Sequence, residues 1–202
     1  MDFDFSAEER EFIRQVAQFL KENESRDVMD VSRENMAQVC DTPARRAFMK
    51  KIAERGWLGI TWPREHGGQD GSGIYEYLLN EMLSAVGAPG IGKGVGIVGK
   101  TLINVGSEKL KQEFLPKILN AEIEFAVGYS EPGAGSDSAA MRLKAERSGE
   151  GWVLSGQKIF TTSAQFADWY WVGARTDSSR PKHDGITLFL VPMDHPGLTV
   201  HA

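Results

Sequence analysis

Near residue 122 the apolar residues of this chain change their spacing, from the helical period to alternation. Before that point they recur as one face of a helix requires; beyond it they alternate with polar residues, as a half-buried strand requires. One switch of period does not interleave helices and strands in a parallel sheet. It predicts an α+β protein, in which a helical domain, residues 1–122, precedes an antiparallel β-barrel-like domain, residues 123–202.

Local signals place the helices. Ser6-Ala7-Glu8-Glu9 has the form of a capping box, in which Ser6 and Glu9 satisfy each other's free backbone N–H groups. Phe12, Ile13, Val16, Phe19 and Leu20 follow at helical spacing. Thr42-Pro43 predicts a second start, a cap residue with proline at the first helical position. Phe48 and Ile52 share a face of that helix, and Gly56 suits a left-handed position just past its end. A turn-rich connector, Trp62 to Gly68, leads to a third helix from about Ser72 to Val86, with Ile74, Leu78, Met82 and Ala85 inward. A helical stretch runs from Val95 to Val105. Ser107 then caps a helix carrying Leu110, Phe114 and Ile118, whose later part Pro116 disturbs.

The second part reads as short strands. Phe125 to Ser130 is one. Met141 to Arg147 alternates apolar and charged residues, turns at Ser148-Gly149-Glu150-Gly151 and returns through Trp152-Val153-Leu154. Lys158 to Thr162, Trp169 to Ala174 and Ile186 to Val191 are three more strand candidates, and Thr176 to Asp184 is a polar loop.

Composition narrows the function classes. Hydrophobic residues at 41% and charged residues at 25% are the balance of a globular protein. A net charge of -5, from 23 basic and 28 acidic residues, excludes the cationic field that non-specific nucleic-acid binding needs. A local anion site is still open to it. Cys40 is the sole cysteine, so neither an intrachain disulfide nor a Cys-based zinc site can form, and no metal site is assigned. The opening Met1-Asp2-Phe3-Asp4 is acidic where a secretion signal is basic. No apolar run approaches the ~20 residues of a membrane span. A reducing, cytoplasmic location fits these features.

Two segments are candidates for chemistry. Glu131-Pro132-Gly133-Ala134-Gly135-Ser136-Asp137 follows a strand, and successive N–H groups of such a loop can cradle an anion, with Ser136 adding a hydroxyl. By spacing alone the loop reads as an ordinary sharp turn. Gly90-Ile91-Gly92-Lys93-Gly94 is a weaker glycine signal, better read as a flexible connector. Gly156 to Ser163 sets the aromatic Phe160 beside the hydroxyls of Thr161 and Thr162, a face and donors for a flat polar-edged ring, yet Phe and Thr are also common in any strand.

Together the segments carry a resemblance. Gly128 to Asp137, Gly156 to Thr162, Ala167-Asp168, Ala174 to Asp177 and Phe189 to Pro192 resemble the acyl-CoA dehydrogenase family. Gly56 to Ile60, Trp62-Pro63, Gly67-Gly68, Asn80-Glu81-Met82 and Phe114-Leu115-Pro116 are similar to that family's first domain. The resemblance implies FAD as cofactor, an acyl-CoA thioester as substrate and α,β-dehydrogenation to the trans-2-enoyl-CoA. It also implies an electron-transfer flavoprotein as acceptor and a homotetramer or mixed oligomer. Position by position, it implies that backbone atoms of Val127 and Tyr129 and the hydroxyls of Ser130 and Thr162 face the flavin ring. Gly135 and Ser136 would serve its pyrophosphate, with Ser136 also near the CoA. Phe160, next to Thr161, would cover one flavin face. Ser163 stands where the family commonly has Asn.

The same resemblance implies a glutamate base from a further helical domain. No catalytic residue is assigned within residues 1–202: Glu131 falls in the cofactor loop as a local hydrogen-bond acceptor, and Glu81 on the third helix in a solvated or pairing role. The chain is therefore expected to be incomplete, and inactive alone. An acyl-CoA oxidase, a flavin monooxygenase of similar fold, or a non-catalytic subunit of a mixed oligomer are the alternatives.

Overall fold

A computed structural model describes residues 4–32 and 40–201. Most of the acidic opening, Met1 to Phe3, and the final Ala202 lie outside them. The chain forms two compact units, Met1–Ile123 and Glu124–Ala202.

The first unit holds five α-helices among the described residues: α1 (Ala7–Glu22), α2 (Pro43–Glu54), α3 (Gly73–Ala85), α4 (Lys100–Val105) and α5 (Glu108–Leu119). Each start but that of α4 has the expected kind of cap. Ser6 Oγ accepts from the Glu9 N–H at 3.1 Å, and Glu9 Oε2 accepts from the Ser6 N–H at 2.7 Å. Thr42, Ser72 and Ser107 cap α2, α3 and α5. Gly56 ends α2 in the left-handed region, φ 73°, where a side chain would be strained. Helix α5 continues through Pro116 to Leu119. A π-helical turn, Gly94–Gly99, runs directly into α4.

Packing corrects two expectations. The buried face of α3 is Leu78, Leu79 and Leu83, while Ala85 is exposed and Met82 half-buried. Apolar residues cover more than half the circumference of this helix, so its period alone does not choose which of them are buried. The Gly90–Gly94 stretch is not a loose connector: Gly90 and Ile91 are buried, and Ile91 donates its N–H to Asn80 Oδ1 at 2.9 Å. The core of the unit includes edge-to-face rings of Trp57 with Phe12 and Phe19, at 5.6 and 5.3 Å between centroids. Arg45 is buried and donates to the carbonyls of Val28 and Gly87 at 2.8 and 3.3 Å.

The second unit is one five-stranded sheet: β1 (Phe125–Gly128), β2 (Lys144–Ser148), β3 (Gly151–Ser155), β4 (Trp169–Arg175) and β5 (Ile186–Pro192). The pairing is mixed. β2 with β3 and β4 with β5 are antiparallel, as expected; β1 and β2 each pair β4 in parallel. Strand β4 is central, which explains its run of four buried residues, Trp171 to Ala174. Leu143, Ala145, Val172 and Ala174 form a core that Leu154, Tyr170, Phe189 and Val191 cover.

The expected strand Lys158 to Thr162 is absent. The backbone of the 156–163 segment is irregular, with positive φ at Gly156 (146°), Phe160 (54°) and Ser163 (72°). Ile, Phe and Thr suit a strand, but a residue in the left-handed region breaks the alternation a ladder needs.

Candidate functional site

The two candidate segments each leave the end of a strand, one after β1 and the other after β3. β1 ends at Gly128 and passes into Tyr129, Ser130 and the turn at Glu131. That turn closes on itself: Glu131 N–H donates to the Ala134 carbonyl at 2.8 Å, and Ala134 N–H returns to the Glu131 carbonyl at 3.0 Å. Pro132 and Gly133 lie between, exposed, and Gly135 and Ser136 follow in the open. No atom lies within 4 Å of where a Cβ would stand on Gly133 or Gly135, so a ligand has access to the backbone here.

The second segment, Gly156 to Ser163, meets the first. Ile159 N–H donates to the Ser130 carbonyl at 3.0 Å. One residue on, the Phe160 ring is 88% exposed. An aromatic ring left this bare on a left-handed backbone is not a core residue. Thr161 Oγ1 lies 3.4 Å from the Tyr170 hydroxyl, and Thr162 is half-buried. Val127 pairs with Trp171 in the β1–β4 register. Tyr129 is half-buried, and its hydroxyl accepts from Trp171 Nε1 at 2.7 Å. Burial pushes the Tyr129 and Tyr170 phenols up, so both remain protonated donors near neutral pH.

Thus Val127, Tyr129, Ser130, Phe160, Thr161 and Thr162 belong to two segments that touch, while Gly135 and Ser136 stand in the exposed turn beyond Glu131. An exposed aromatic face, flanking hydroxyls and an uncrowded backbone turn suit a ligand with a flat ring system and an anionic tail, the chemical make-up of FAD.

Sequence reasoning missed Lys158. Its side chain is 2% exposed, and Nζ donates to Glu131 Oε1 at 2.8 Å and to the Tyr129 carbonyl at 3.2 Å. Glu131 is 8% exposed and also accepts the N–H groups of Arg142 and Leu143 at 2.6 and 2.8 Å. Burial alone would raise its carboxyl, but the bonds from Lys158, Arg142 and Leu143 outweigh it and hold the group below the usual carboxylate range. A carboxylate held ionised by three donors is an acceptor within the fold, as expected, and not a base poised for proton transfer. Glu81, the other acidic candidate, is exposed on α3. Among the described residues, no three His, Cys, Asp or Glu side chains group as a metal site, and no helix is long and apolar enough to cross a membrane.

Comparison with known proteins gives the same frame. Residues 6–122 match the acyl-CoA dehydrogenase N-terminal domain, and residues 126–202 match the acyl-CoA dehydrogenase middle domain. The chain is 36% identical over 197 residues to acyl-CoA dehydrogenase FadE29 of Mycobacterium tuberculosis, covering 98% of this chain and 50% of that protein. It is 36% identical to the mitochondrial isovaleryl-CoA dehydrogenase of Pongo abelii, over 96% of this chain and 46% of that one. Among solved structures, the Tcur3481-Tcur3483 steroid ACAD superposes with a TM-score of 0.84 at 37% identity, over 98% of this chain and 50% of that chain. The ChsE4-ChsE5 complex from Mycobacterium tuberculosis gives a TM-score of 0.82 at 30% identity, over 96% of this chain and 49% of that one. The chain spans about half the length of these relatives. With both domain models matched in order on the helical and sheet units just described, the chain belongs to the acyl-CoA dehydrogenase family of oxidoreductases.

Proposed function

We propose that this chain supplies the N-terminal and flavin-holding parts of an enzyme that dehydrogenates an acyl-CoA thioester to the trans-2-enoyl-CoA. The observation that carries this reading is the junction of Ser130 and Ile159 at 3.0 Å, which sets the 88% exposed Phe160 ring beside the strand end of β1. When bound, FAD would supply the hydride acceptor. Phe160 would give its ring a face; the backbone of Val127 and Tyr129, with the hydroxyls of Ser130, Thr161 and Thr162, would line its polar edge. Donors fixed by the fold stabilise charge arriving at such an edge better than water that must reorient. Gly135 and Ser136 would take the pyrophosphate, and Ser136 the CoA side.

Removal of the α-proton needs a positioned base. Glu131 is tied to three donors and Glu81 is exposed on α3, so neither suits that role. As the family resemblance implies, we place the base outside residues 1–202; the acceptor would be an electron-transfer flavoprotein in the cytoplasm.

A second reading has specific support: two of the matched structures are named for two components, Tcur3481-Tcur3483 and ChsE4-ChsE5. This chain would then be one subunit of a mixed oligomer, with the base on another. One experiment tests both. The purified 202-residue protein is titrated with FAD and assayed for acyl-CoA-dependent dye reduction. Weak FAD binding or none, without turnover, is expected. Turnover by the chain alone overturns the assignment of the base, and oxygen consumption in place of dye reduction points to an oxidase or monooxygenase.

A further inference from the structure

The Lys158–Glu131 pair joins three separate pieces of the sheet unit. Glu131 closes the turn after β1, accepts the Arg142 and Leu143 N–H groups just ahead of β2, and accepts Lys158 Nζ from the 156–163 segment. Lys158 Nζ also reaches the Tyr129 carbonyl at 3.2 Å, with Met141 Sδ at 3.8 Å beside it. Both side chains are almost fully buried, at 2% and 8% exposed.

Such a pair is a poor source of net stability, because taking two charges out of water offsets most of their attraction. What it does supply is direction. The 156–163 segment belongs to no strand, and three of its residues have positive φ. It therefore lacks the ladder that would fix its position. Its bonds to the rest of the unit include those of Lys158, the Ile159 N–H to Ser130 and the Thr161 hydroxyl to Tyr170. Of these, only Lys158 brings a charge-assisted bond into a dry site, where it is strongest.

We infer that Lys158, through its buried ion pair with Glu131, is a positioning residue that holds the 159–162 segment against Ser130. That this segment faces FAD rests on the function proposed above. The contact with Tyr129 places Lys158 one residue from Ser130 on one side and one residue from Ile159 on the other. It thus clamps both segments of the junction that presents Phe160.

The test compares wild type with Lys158→Met, Glu131→Gln and the double substitution. Each single change leaves a buried charge without its partner and can unfold the unit. The double change leaves no unpaired charge, and the single glutamine oxygen can still accept one of the Arg142 and Leu143 N–H groups that the two carboxylate oxygens take, so the sheet should form. Amide hydrogen exchange is read residue by residue. In the double variant the amides of β4 and β5 should keep their wild-type protection, while the Ile159 amide exchanges roughly tenfold faster or more. FAD affinity should fall roughly tenfold with it, and the visible flavin spectrum should shift. Unchanged Ile159 protection in a folded double variant overturns the inference. So does loss of β4 protection together with Ile159, which would make the pair a prop of the whole sheet. Unchanged FAD affinity despite a loosened Ile159 supports the positioning role of Lys158 and overturns the reading that this segment faces FAD. If the wild-type chain binds no FAD, the exchange data alone decide the role of Lys158.

Discussion

The indole Nε1–H of Trp171 donates to the Tyr129 hydroxyl at 2.7 Å, joining the central strand to the residue that follows β1. Trp171 is 3% exposed, so its N–H has little access to water as an alternative. Tyr129→Phe keeps the ring and removes the acceptor, leaving a buried donor unpaired. The expected loss is about 1–3 kcal/mol in the sheet unit, read as a lower urea midpoint with an unchanged slope. A variant as stable as wild type would mean that water reaches the indole.

Gly128 is fixed by its neighbour rather than by its own backbone. A Cβ there would lie 2.1 Å from the Tyr170 hydroxyl oxygen and 2.4 Å from the ring carbon that bears it. Gly128→Ala must swing the Tyr170 ring away and break its contact with Thr161. Overpacking of this kind costs about 1–3 kcal/mol. The same change made together with Tyr170→Ala should cost much less, because the two residues share one space. Equal costs in both backgrounds would refute the steric account.

Signals confined to a few neighbouring residues were legible in the sequence. Ser6, Thr42, Ser72 and Ser107 cap helices where their local patterns place them. The β2–β3 hairpin is legible for the same reason, since Gly149 and Glu150 join adjacent strands. What depends on distant partners was not. The parallel pairing of β1 with β4 sets Phe125 opposite Trp169, and no local pattern encodes that register. The 158–162 segment reads as a strand because its residues favour one. The bonds that hold it elsewhere come from Tyr129, Ser130, Glu131 and Tyr170. The candidate site residues stand out as motifs, and Lys158 stayed hidden because a lysine announces burial only through its partner.

Acid should weaken the sheet unit through Glu131. Its folded carboxyl titrates below the usual range, whereas in the unfolded chain it titrates near about 4.3. As pH falls, the unfolded state takes up the proton first. The stability that Glu131 contributes is therefore complete above the unfolded value and lost as pH drops through the folded one. Urea midpoints measured from about pH 6 to about pH 3 should fall more steeply for wild type than for the Glu131→Gln/Lys158→Met double variant. Parallel curves would assign the acid sensitivity to other carboxylates.

Phe160 separates a ligand platform from a packing residue most sharply. Were its ring in a core, Phe160→Ala would cost about 3–5 kcal/mol. At 88% exposure there is almost no buried area to lose, and surface changes of this kind stay within about 0.5 kcal/mol. The backbone adds a term of opposite sign. At φ 54° a side chain is strained, so Phe160→Gly should recover part of the roughly 1–2 kcal/mol that a left-handed residue costs. Its gain would be reduced by the added freedom of glycine in the unfolded chain. Stability alone therefore gives little reason to keep this ring, and its presence needs a reason outside the packing. FAD titration supplies the check: affinity should fall in Phe160→Ala and Phe160→Gly, and persist in Phe160→Trp, which keeps an aromatic face. A Trp variant that loses FAD as fully as the Ala variant, while remaining folded, would show that the ring is not the platform.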